Sequence, residues 1–265
     1  MMDNGDLILE NQAARPVAWL RDARIAQRDN LVLQGVELVV WPGDFFYLVG
    51  RVGSGKTSLI ETLTGQIPLA GGEGEVCGYS LQNLTPSQIP YLRRHLGIVF
   101  QDFKLLTDRT VEKNLSFALR ATGWKRKLDV ERRIHEVLEQ VGLTTKAYKM
   151  PNQISGGEQQ RVAIARAIVM NPKYLFCDEP NSGLDPKTSL IIDQLLSDIT
   201  KEFDITTIIN THDMNSVMGI GEHVVFIVDG RAEWQGNKDT VMSSNNKKLN
   251  DLVFASDLFK KVKQV

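Results

Sequence analysis

The chain has 265 residues, 42% of them hydrophobic, and its 31 lysine and arginine residues nearly balance 32 aspartate and glutamate residues, which leaves a formal net charge of −1. This length can bury a substantial core, and the charge lacks the basic excess that nucleic-acid binding favours. Two cysteines are too few for a disulfide framework or a cysteine-rich zinc site. No apolar run reaches the roughly 18 residues of a membrane span. The acidic N-terminus lacks the pattern of a secretory signal.

These exclusions favour a soluble cytoplasmic protein. Short apolar runs alternate with helical patterns along the chain, and this alternation predicts an α/β fold. Residues 1–16 are polar and predict a flexible N-terminal tail. The apolar runs at 45–49, 174–177 and 205–209 predict buried central strands of a mostly parallel sheet. The chain shows no internal repeat, so we expect one such domain.

A glycine-rich segment at residues 50–57 follows the first of these strands and precedes the apolar-periodic segment 58–64. This is the setting of a P-loop, whose backbone N–H groups and following helix bind phosphate oxygens. We expect Lys56 to reach the β- and γ-phosphates and the Thr57 hydroxyl to bind Mg²⁺. An ordinary glycine turn is the alternative, and the flanking strand and helix argue against it. The predicted nucleotide-binding residues are Gly50, Arg51, Val52, Gly53, Ser54, Gly55, Lys56, Thr57 and Ser58.

A second glycine-rich segment, Ser155-Gly156-Gly157-Glu158, opens a predicted helix over residues 158–170. Its serine and the free N–H groups of the helix predict a second anion site. One nucleotide triphosphate does not need two such loops from one chain. We therefore expect a head-to-tail dimer, in which each loop caps the γ-phosphate held by the other chain. A plain helix N-cap is the alternative.

Two acids, Asp178 and Glu179, end the predicted strand at 174–177. Ligands of an open parallel sheet bind beyond the carboxyl ends of its strands. There we expect Asp178 to hold Mg²⁺ and Glu179 to act as the general base toward the attacking water. Such a strand end is by itself more often only solvated, and the combination with the P-loop favours the hydrolytic interpretation.

These motifs resemble those of the ATP-binding cassette (ABC) ATPases over about residues 17–236. The resemblance implies an ATP- and Mg²⁺-dependent ATPase with an α/β P-loop NTPase core, a mostly parallel sheet, a small antiparallel β subdomain and a helical signature-motif subdomain at about residues 102–170. It assigns Gln101 to the Q-loop, Asp185 to the D-loop and His212 to the switch histidine. The implied site consists of the catalytic residues Glu179, His212 and Gln101, the metal ligands Thr57, Gln101 and Asp178, and the signature residues Ser155, Gly156, Gly157 and Glu158 of a second chain.

Each assigned residue also has a purely structural alternative. A glutamine at a strand end, such as Gln101, is usually only solvated. Asp185 precedes Pro186 and would cap a helix in any protein. A lone histidine after a buried strand, such as His212, is seldom a switch. One position departs from the family, since cassettes usually place an aromatic near Gln27 to stack on adenine. We therefore expect adenine to rest on an arginine plane or to be held loosely.

Within the family, residues 100–106, 107–111 and Asn114 look like those of the FtsE-type cell-division ATPases. This resemblance implies an FtsX-like integral membrane partner that contacts the loop from Phe103 to Thr110, and a role in regulating cell-wall hydrolysis. The alternative is that the apolar residues of this loop pack into the chain's own helical subdomain. The implied location is cytoplasmic, on the inner face of the cell membrane.

Residues 181–185 and the chain beyond Gly236 depart from the FtsE type. Residues 64–67 and the long C-terminal part instead resemble the phospholipid-trafficking cassettes of the Mla type, which are the alternative. The lipoprotein-release and macrolide-export cassettes are a third possibility. Cassettes of DNA repair or translation would need a coiled-coil insertion, a zinc module or a second cassette, so we expect no nucleic-acid partner. A catalytically dead scaffold would need damage at Lys56, Asp178, Glu179 or His212, and a small GTPase or kinase would lack the loop at Ser155.

The C-terminal part begins with a predicted hairpin, in which residues 224–228 and 231–235 flank the tight-turn pair Asp229-Gly230. Residues 237–265 then form an amphipathic extension with a rough helical stripe of Leu249, Leu252, Val253, Leu258, Phe259 and Val262 among several lysines. Such a helix can lie on an anionic membrane surface. Packing on its own domain or on a dimer mate is the interpretation that we favour.

Overall fold

The computed structural model describes residues 15–254, which form two sheets covered by helices. Predictions for residues 1–14 and 255–265 lie outside these residues. The strands are β1 Ala18–Gln27, β2 Asn30–Val40, β3 Phe45–Val49, β4 Leu69–Val76, β5 Tyr79–Ser80, β6 Leu96–Val99, β7 Tyr174–Asp178, β8 Thr206–Thr211, β9 His223–Val228 and β10 Arg231–Gly236. The helices are α1 Lys56–Leu63, α2 Ile89–Arg93, α3 Val111–Ala121, α4 Lys127–Gln140, α5 Gly156–Ile168, α6 Pro186–Glu202, α7 Met214–Ile220, α8 Lys238–Val241 and α9 Lys247–Val253.

The larger sheet is the mostly parallel sheet that the sequence predicts. Its strand order is β10-β9-β3-β8-β7-β6, and the five strands from β9 to β6 run parallel while β10 pairs antiparallel with β9. Every residue of β3 is buried, as expected for an apolar run covered on both faces. Strand β8 begins at Thr206 and extends to Thr211, beyond the predicted 205–209, because Asn210 and Thr211 continue the pairing with β3 and β7.

The two faces of this sheet carry separate cores. Phe46 and Leu48 point into one core together with α1 and the smaller sheet, whereas Phe45, Tyr47 and Val49 point into a second core built with α3 to α7. This division follows from the two-residue period of side chains along a strand. The strands' carboxyl ends therefore lie between two packed layers, where loops from both layers meet.

The smaller sheet is antiparallel, with the order β2-β1-β4-β5. The β1 and β4 backbones approach closely at Gly72, whose φ is +78° and where a Cβ would lie 2.2 Å from the Asp22 carbonyl oxygen. Only glycine fits such a position. The predicted antiparallel subdomain is thus present beside α1.

Helix boundaries follow their capping residues. Helix α5 begins at Gly156, two residues before the predicted start at 158, because Ser155 caps it, and it ends at Ile168. Asp185 caps α6 with Pro186 in the first position, as the sequence indicates. The predicted hairpin is confirmed as β9 and β10, with positive φ at both Asp229 and Gly230.

The described part of the C-terminal extension packs on its own domain. Val241, Leu249 and Val253 are buried in the core under α5 to α7. For residues 237–254 the interpretation favoured from the sequence is therefore confirmed. Between residues 15 and 254, each helix is too short or too polar to cross a lipid bilayer.

Candidate active site

The loop between β3 and α1 is wrapped around a buried lysine. Lys56 is only 5% exposed, and its Nζ donates to the carbonyl oxygens of Gly50 at 2.7 Å and Arg51 at 3.0 Å. Burial lowers the pKa of this ammonium group, while the carboxylates of Glu179 and Asp178 oppose the shift. The ammonium group thus supplies positive charge from inside the loop.

The loop conformation depends on its glycines. Gly53 and Gly55 have φ values of +82° and +101°, and a Cβ at Gly50 would lie 2.2 Å from the Ile227 carbonyl oxygen. Gly55 is the N-cap of α1, and neither a capping side chain nor an acidic residue neutralises the first turn. The first N–H groups of α1 are therefore open to an anion, as phosphate binding requires.

Two oxygen ligands stand together at the start of α1 and the end of β7. The Thr57 hydroxyl donates to Asp178 Oδ1 at 3.2 Å, and Asn210 Nδ2 donates both to Thr57 Oγ1 at 3.3 Å and to Asp178 Oδ1. Burial raises the pKa of Asp178, against the hydrogen bonds from Thr57 and Asn210. A hydroxyl oxygen and a carboxylate oxygen this close together are ligands that suit a hard cation such as Mg²⁺.

The same cleft receives Gln101. A space of about 420 Å³ is lined by Thr57, Gln101, Asp178 and Ser182, and Gln101 Nε2 donates to Ser182 Oγ at 3.2 Å. Within residues 15–254, no three His, Cys, Asp or Glu side chains form a metal cluster. A cation here would need water or phosphate oxygens to complete its shell, as Mg²⁺ bound with a nucleotide does.

Glu179 and His212 form a hydrogen-bonded pair next to these ligands. The distance between Glu179 Oε1 and His212 Nδ1 is 2.8 Å, and the Thr211 hydroxyl donates to Glu179 Oε2 at 3.4 Å. The glutamate side chain is 12% exposed and the imidazole 51%. The carboxylate is thus largely shielded, whereas its imidazole partner is half exposed to solvent.

Glu179 occupies an unusual backbone conformation, with φ of +48°. Its N–H donates to the Asn210 carbonyl at 2.9 Å, and its own carbonyl accepts from the Ser182 N–H at 3.0 Å. A left-handed conformation at a residue other than glycine persists only where its surroundings hold it. These bonds set the direction in which the carboxylate leaves β7.

The signature segment, residues 155–158, forms the start of another helix, α5. The Ser155 hydroxyl accepts from the Glu158 N–H and the Glu158 carboxylate accepts from the Ser155 N–H, so these bonds stay within α5. A Cβ at Gly157 would lie 2.5 Å from Thr188 Cγ2, and one at Gly156 would contact Leu184. The signature segment therefore packs against the start of α6. Among the described residues, no hydrogen bond joins it to the loop at 50–58.

The structure thus brings together six of the residues that the sequence points to, and adds one. Lys56, Thr57, Gln101, Asp178, Glu179 and His212 surround one region at the carboxyl end of the sheet. Asn210 is the residue that sequence reasoning missed. Its signal was a single amide inside the apolar strand β8, directly before Thr211 and His212.

Gln27 lies against the first turns of α1. Its Nε2 donates to Ser58 Oγ at 3.1 Å and to Glu61 Oε2 at 3.2 Å. The end of β1 is therefore held beside the P-loop helix by an amide, at the position where an aromatic residue was expected.

Comparison with known proteins gives one consistent family. The family model described as ABC transporter matches residues 33–182. The cell division ATP-binding protein FtsE of Streptococcus pneumoniae is 43% identical over 214 residues, which cover 80% of this chain and 92% of that protein. The methionine import ATP-binding protein MetN of Carboxydothermus hydrogenoformans is 40% identical over 210 residues, covering 79% of this chain and 62% of that protein.

Solved structures agree with this similarity. A dimeric structure of MJ0796, described as a bacterial ABC transporter cassette, is 30% identical with a TM-score of 0.76, and covers 83% of this chain and 98% of that one. A second dimeric structure of that cassette, in a post-hydrolysis state with ADP and phosphate bound, has a TM-score of 0.75 at the same identity and coverage.

Proposed function

We propose that this chain, which belongs to the ABC transporter family and is an ATP-binding and ATP-hydrolysing subunit, is the ATPase of an FtsE-like cell-division complex. In this proposal it lies on the inner face of the membrane. The Glu179–His212 pair beside the Thr57–Asp178 oxygens is the observation that best supports hydrolysis at this site. The FtsE-like role is supported by 43% identity to a relative of which the chain covers 92%.

In the proposed mechanism, the P-loop N–H groups and Lys56 bind the β- and γ-phosphates of ATP. Thr57, Asp178 and Gln101 would hold Mg²⁺, which neutralises phosphate charge when bound. Glu179 accepts a proton from water as the water oxygen attacks the γ-phosphorus, and the bond to the bridging oxygen of ADP breaks. His212 holds the Glu179 carboxylate and contacts the γ-phosphate. Phosphate and ADP are the products.

The proposed catalytic unit is a homodimer with ATP at its interface. Ser155, Gly156, Gly157 and Glu158 of one chain would face the γ-phosphate bound by the other. The start of α5 supports this role, because Gly156 and Gly157 present backbone N–H groups there in addition to the Glu158 N–H that Ser155 caps. The D-loop with Asp185 would lie at the same interface, since the signature segment packs on the start of α6.

The proposed contact with an FtsX-like membrane subunit is the loop from Phe103 to Thr110. Arg166 donates to the Phe103 carbonyl at 2.8 Å and to the Lys104 carbonyl, so the loop has a fixed shape. Phe103 and Leu105 pack partly against the chain's own core, as the alternative from the sequence proposed. Leu106 instead lines an open groove of about 320 Å³ with Ile98 and Phe117.

A second candidate is the ATPase of a small-molecule importer, because the methionine-import relative is nearly as similar as the cell-division one. In that case the same loop would contact an importer permease, and the site chemistry would be unchanged. Only the membrane partner distinguishes the two candidates.

The variant Glu179→Gln tests both levels of this function. We expect it to bind ATP, to hydrolyse ATP about 10²- to 10⁴-fold more slowly because the base is lost, and to accumulate as a dimer with ATP. Glu131→Gln on the exposed face of α4 is the matched control and should hydrolyse normally. A normal hydrolysis rate in Glu179→Gln would show that the base is assigned wrongly.

The same variant, with ATP, serves as bait on native membranes in mild detergent. Co-purification of a small polytopic protein with a large periplasmic domain would support the cell-division role. An importer permease would favour the second candidate, and a multicomponent assembly with a lipid-binding protein would favour phospholipid trafficking. Recovery of no membrane protein would contradict all three.

A further inference from the structure

A chain of buried and partly buried hydrogen bonds runs beside the candidate active site, through side chains to which no role has been assigned so far. The Tyr47 hydroxyl in β3 lies 3.1 Å from Ser216 Oγ in α7, and Ser216 Oγ donates to Asp193 Oδ1 in α6 at 2.6 Å. Asn181 Nδ2 donates to the same Oδ1 atom at 2.8 Å. We call Tyr47, Ser216, Asp193 and Asn181 the buried network.

The direction of each bond follows from the donors available. The Asp193 carboxylate accepts from both Ser216 and Asn181, so the single proton of Ser216 is already used. The Tyr47 hydroxyl must then donate to Ser216 Oγ. Asp193 Oδ1 is the acceptor on which the other members converge.

This network lies in a part of the core where a polar group is costly. Tyr47, Ser216 and Asp193 are 0%, 3% and 6% exposed. Burial raises the pKa of Asp193, and the hydrogen bonds from Ser216 and Asn181 oppose that shift. Polar residues at such depth are stable only when their hydrogen bonds are satisfied, and an apolar core would have filled the space at lower cost.

The ends of the network reach the three segments that carry the site. Tyr47 is in the strand that leads into the P-loop, Asn181 is in the turn that follows Glu179, and Ser216 is in the helix that follows His212. Asp193 belongs to none of these segments, since it lies within α6. It is therefore the fixed point to which all of them are hydrogen-bonded, directly or through Ser216.

We propose that Asp193 is a positioning residue for ATP hydrolysis. Its buried carboxylate links the turn that carries Glu179 to the helix that follows His212. Through Ser216 and Tyr47 it is also linked to the strand that enters the P-loop. The need for such a tie is visible at Glu179, which has a left-handed backbone and faces a half-exposed imidazole. Its carboxylate depends on the turn for its direction. Because Glu179 is itself a proposed base, this role of Asp193 rests on the proposed function.

The variants Asp193→Ala and Asn181→Ala remove the tie from its two sides. We expect kcat for ATP hydrolysis by the full chain to fall about 10- to 100-fold, as small displacements of catalytic groups do, with KM for ATP unchanged because the P-loop contacts persist. Asp193→Asn keeps the Oδ1 acceptor and should restore kcat toward the wild-type value. In the double variant, kcat should fall no further than in the more severe single variant, because both changes break the same hydrogen bond.

The control variant is Thr200→Val, which removes another buried polar group of α6. Thr200 bonds to Thr207 and to the Leu196 carbonyl, at a distance from the site segments. It should lower the melting temperature and leave kcat unchanged. A purely structural role of Asp193 would make Asp193→Ala behave like Thr200→Val.

The possible outcomes separate this role from the proposed function. If Glu179→Gln is inactive while Asp193→Ala and Asn181→Ala keep the wild-type kcat, the positioning role of Asp193 is wrong and the base assignment stands. Additive losses in the double variant, or no recovery in Asp193→Asn, would equally overturn it. If Glu179→Gln hydrolyses ATP at the normal rate, the proposed function fails whatever the Asp193 variants do.

Discussion

Several buried polar residues stand at the carboxyl end of the large sheet, among them Lys56 and Asn210, while others such as Asn114 and Gln160 lie elsewhere in the described part of the chain. Lys56 and Asn210 are almost completely shielded, and each bonds to groups that also belong to the site. An unpaired buried polar atom destabilises a fold, and the site carries that cost at Asn210 Oδ1, which is buried without a hydrogen-bond partner while its Nδ2 is bonded. At the scale of single residues, what distinguishes the site is therefore the set of hydrogen bonds that Lys56 and Asn210 make with its other members, and not burial alone.

The burial of Asp193 predicts a pH-dependent stability difference. Its pKa is raised in the folded state by burial, with a smaller contribution from the charge of Asp213, so the folded protein holds this proton more tightly than the unfolded chain, whose value is near 3.8. The stability that this provides is present below that value and is lost as the pH rises through the folded pKa. We expect Asp193→Asn, which has no proton to lose, to gain stability relative to wild type as the pH rises from about 4 toward neutrality.

Urea unfolding of both proteins at several pH values would measure this difference in the free energy of unfolding. Asp198→Asn, at an exposed position of the same helix, is the control for removal of one negative charge. A stability difference between Asp193→Asn and wild type that stays constant over this pH range would contradict the prediction.

Much of the site could be predicted from the sequence, because its residues stand next to recognisable local patterns. Asp178 and Glu179 stand at the end of an apolar strand, and Lys56 and Thr57 begin the helix that follows a glycine-rich loop. Asp193 has no such neighbour, and Asn210, although it ends an apolar run, belongs to no motif that singles it out. Their roles arise from contacts between segments far apart in the chain, such as Asn181 with Asp193, and the periodicity of one segment carries no information about them.

At the scale of elements, the strands were easier to predict than the helix ends. The apolar run of β3 matches the strand at both ends, because each of its residues is buried. Helix α5 begins earlier than its apolar pattern, since capping by Ser155 and Glu158 sets its start and the two glycines form its first positions. Phe103 and Leu105 show another limit of prediction from sequence. An apolar side chain can pack against a partner protein or against the chain's own core, and these two pack partly against the core.

Close packing between the starts of α5 and α6 predicts a clash that a second substitution can remove. In Gly157→Ala, the new Cβ would lie 2.5 Å from Thr188 Cγ2, while the Thr188 hydroxyl is held by Asp185. We expect a loss of about 1 to 3 kcal/mol in the free energy of unfolding from overpacking, partly offset by the better helix propensity of alanine. Thr188→Ser lacks the Cγ2 atom and keeps the hydroxyl.

The double variant Gly157→Ala/Thr188→Ser should therefore recover the melting temperature of the Thr188→Ser control. If Gly157 also approaches the phosphate of a partner's nucleotide, ATP hydrolysis should stay low in the double variant although stability returns. Recovery of both properties would show that Gly157 is needed only for packing, and recovery of neither would contradict the clash.

At the scale of the whole molecule, the two segments that we propose to bind phosphate are carried by different helices. The P-loop and its acidic partners gather at the end of the large sheet, and the signature segment stands on α5 against the start of α6. The hydrogen bonds of Ser155 remain within its own helix, so the face that we propose for anion binding makes no hydrogen bond to other described residues of the same chain. A head-to-tail pair of chains would give each P-loop a signature segment and close both sites at once.

Mixing two inactive variants tests this arrangement. Lys56→Met removes the P-loop ammonium, and Ser155→Arg blocks the signature segment, so neither homodimer has an intact site. In an equal mixture, half of the dimers pair one chain of each kind, and each mixed dimer holds one intact site formed by Lys56 of one chain and Ser155 of the other. We therefore expect the mixture to regain up to about one quarter of the wild-type ATPase rate.

The control is a mixture of Lys56→Met with the double variant Lys56→Met/Ser155→Arg, which has no intact P-loop and should stay inactive. If instead each chain used its own Ser155, every chain in the first mixture would carry a damaged site, and mixing would restore nothing. Activity in the first mixture and none in the second therefore requires a site shared between two chains, whereas inactivity of both, with dimers present, would place Lys56 and Ser155 in one chain's site.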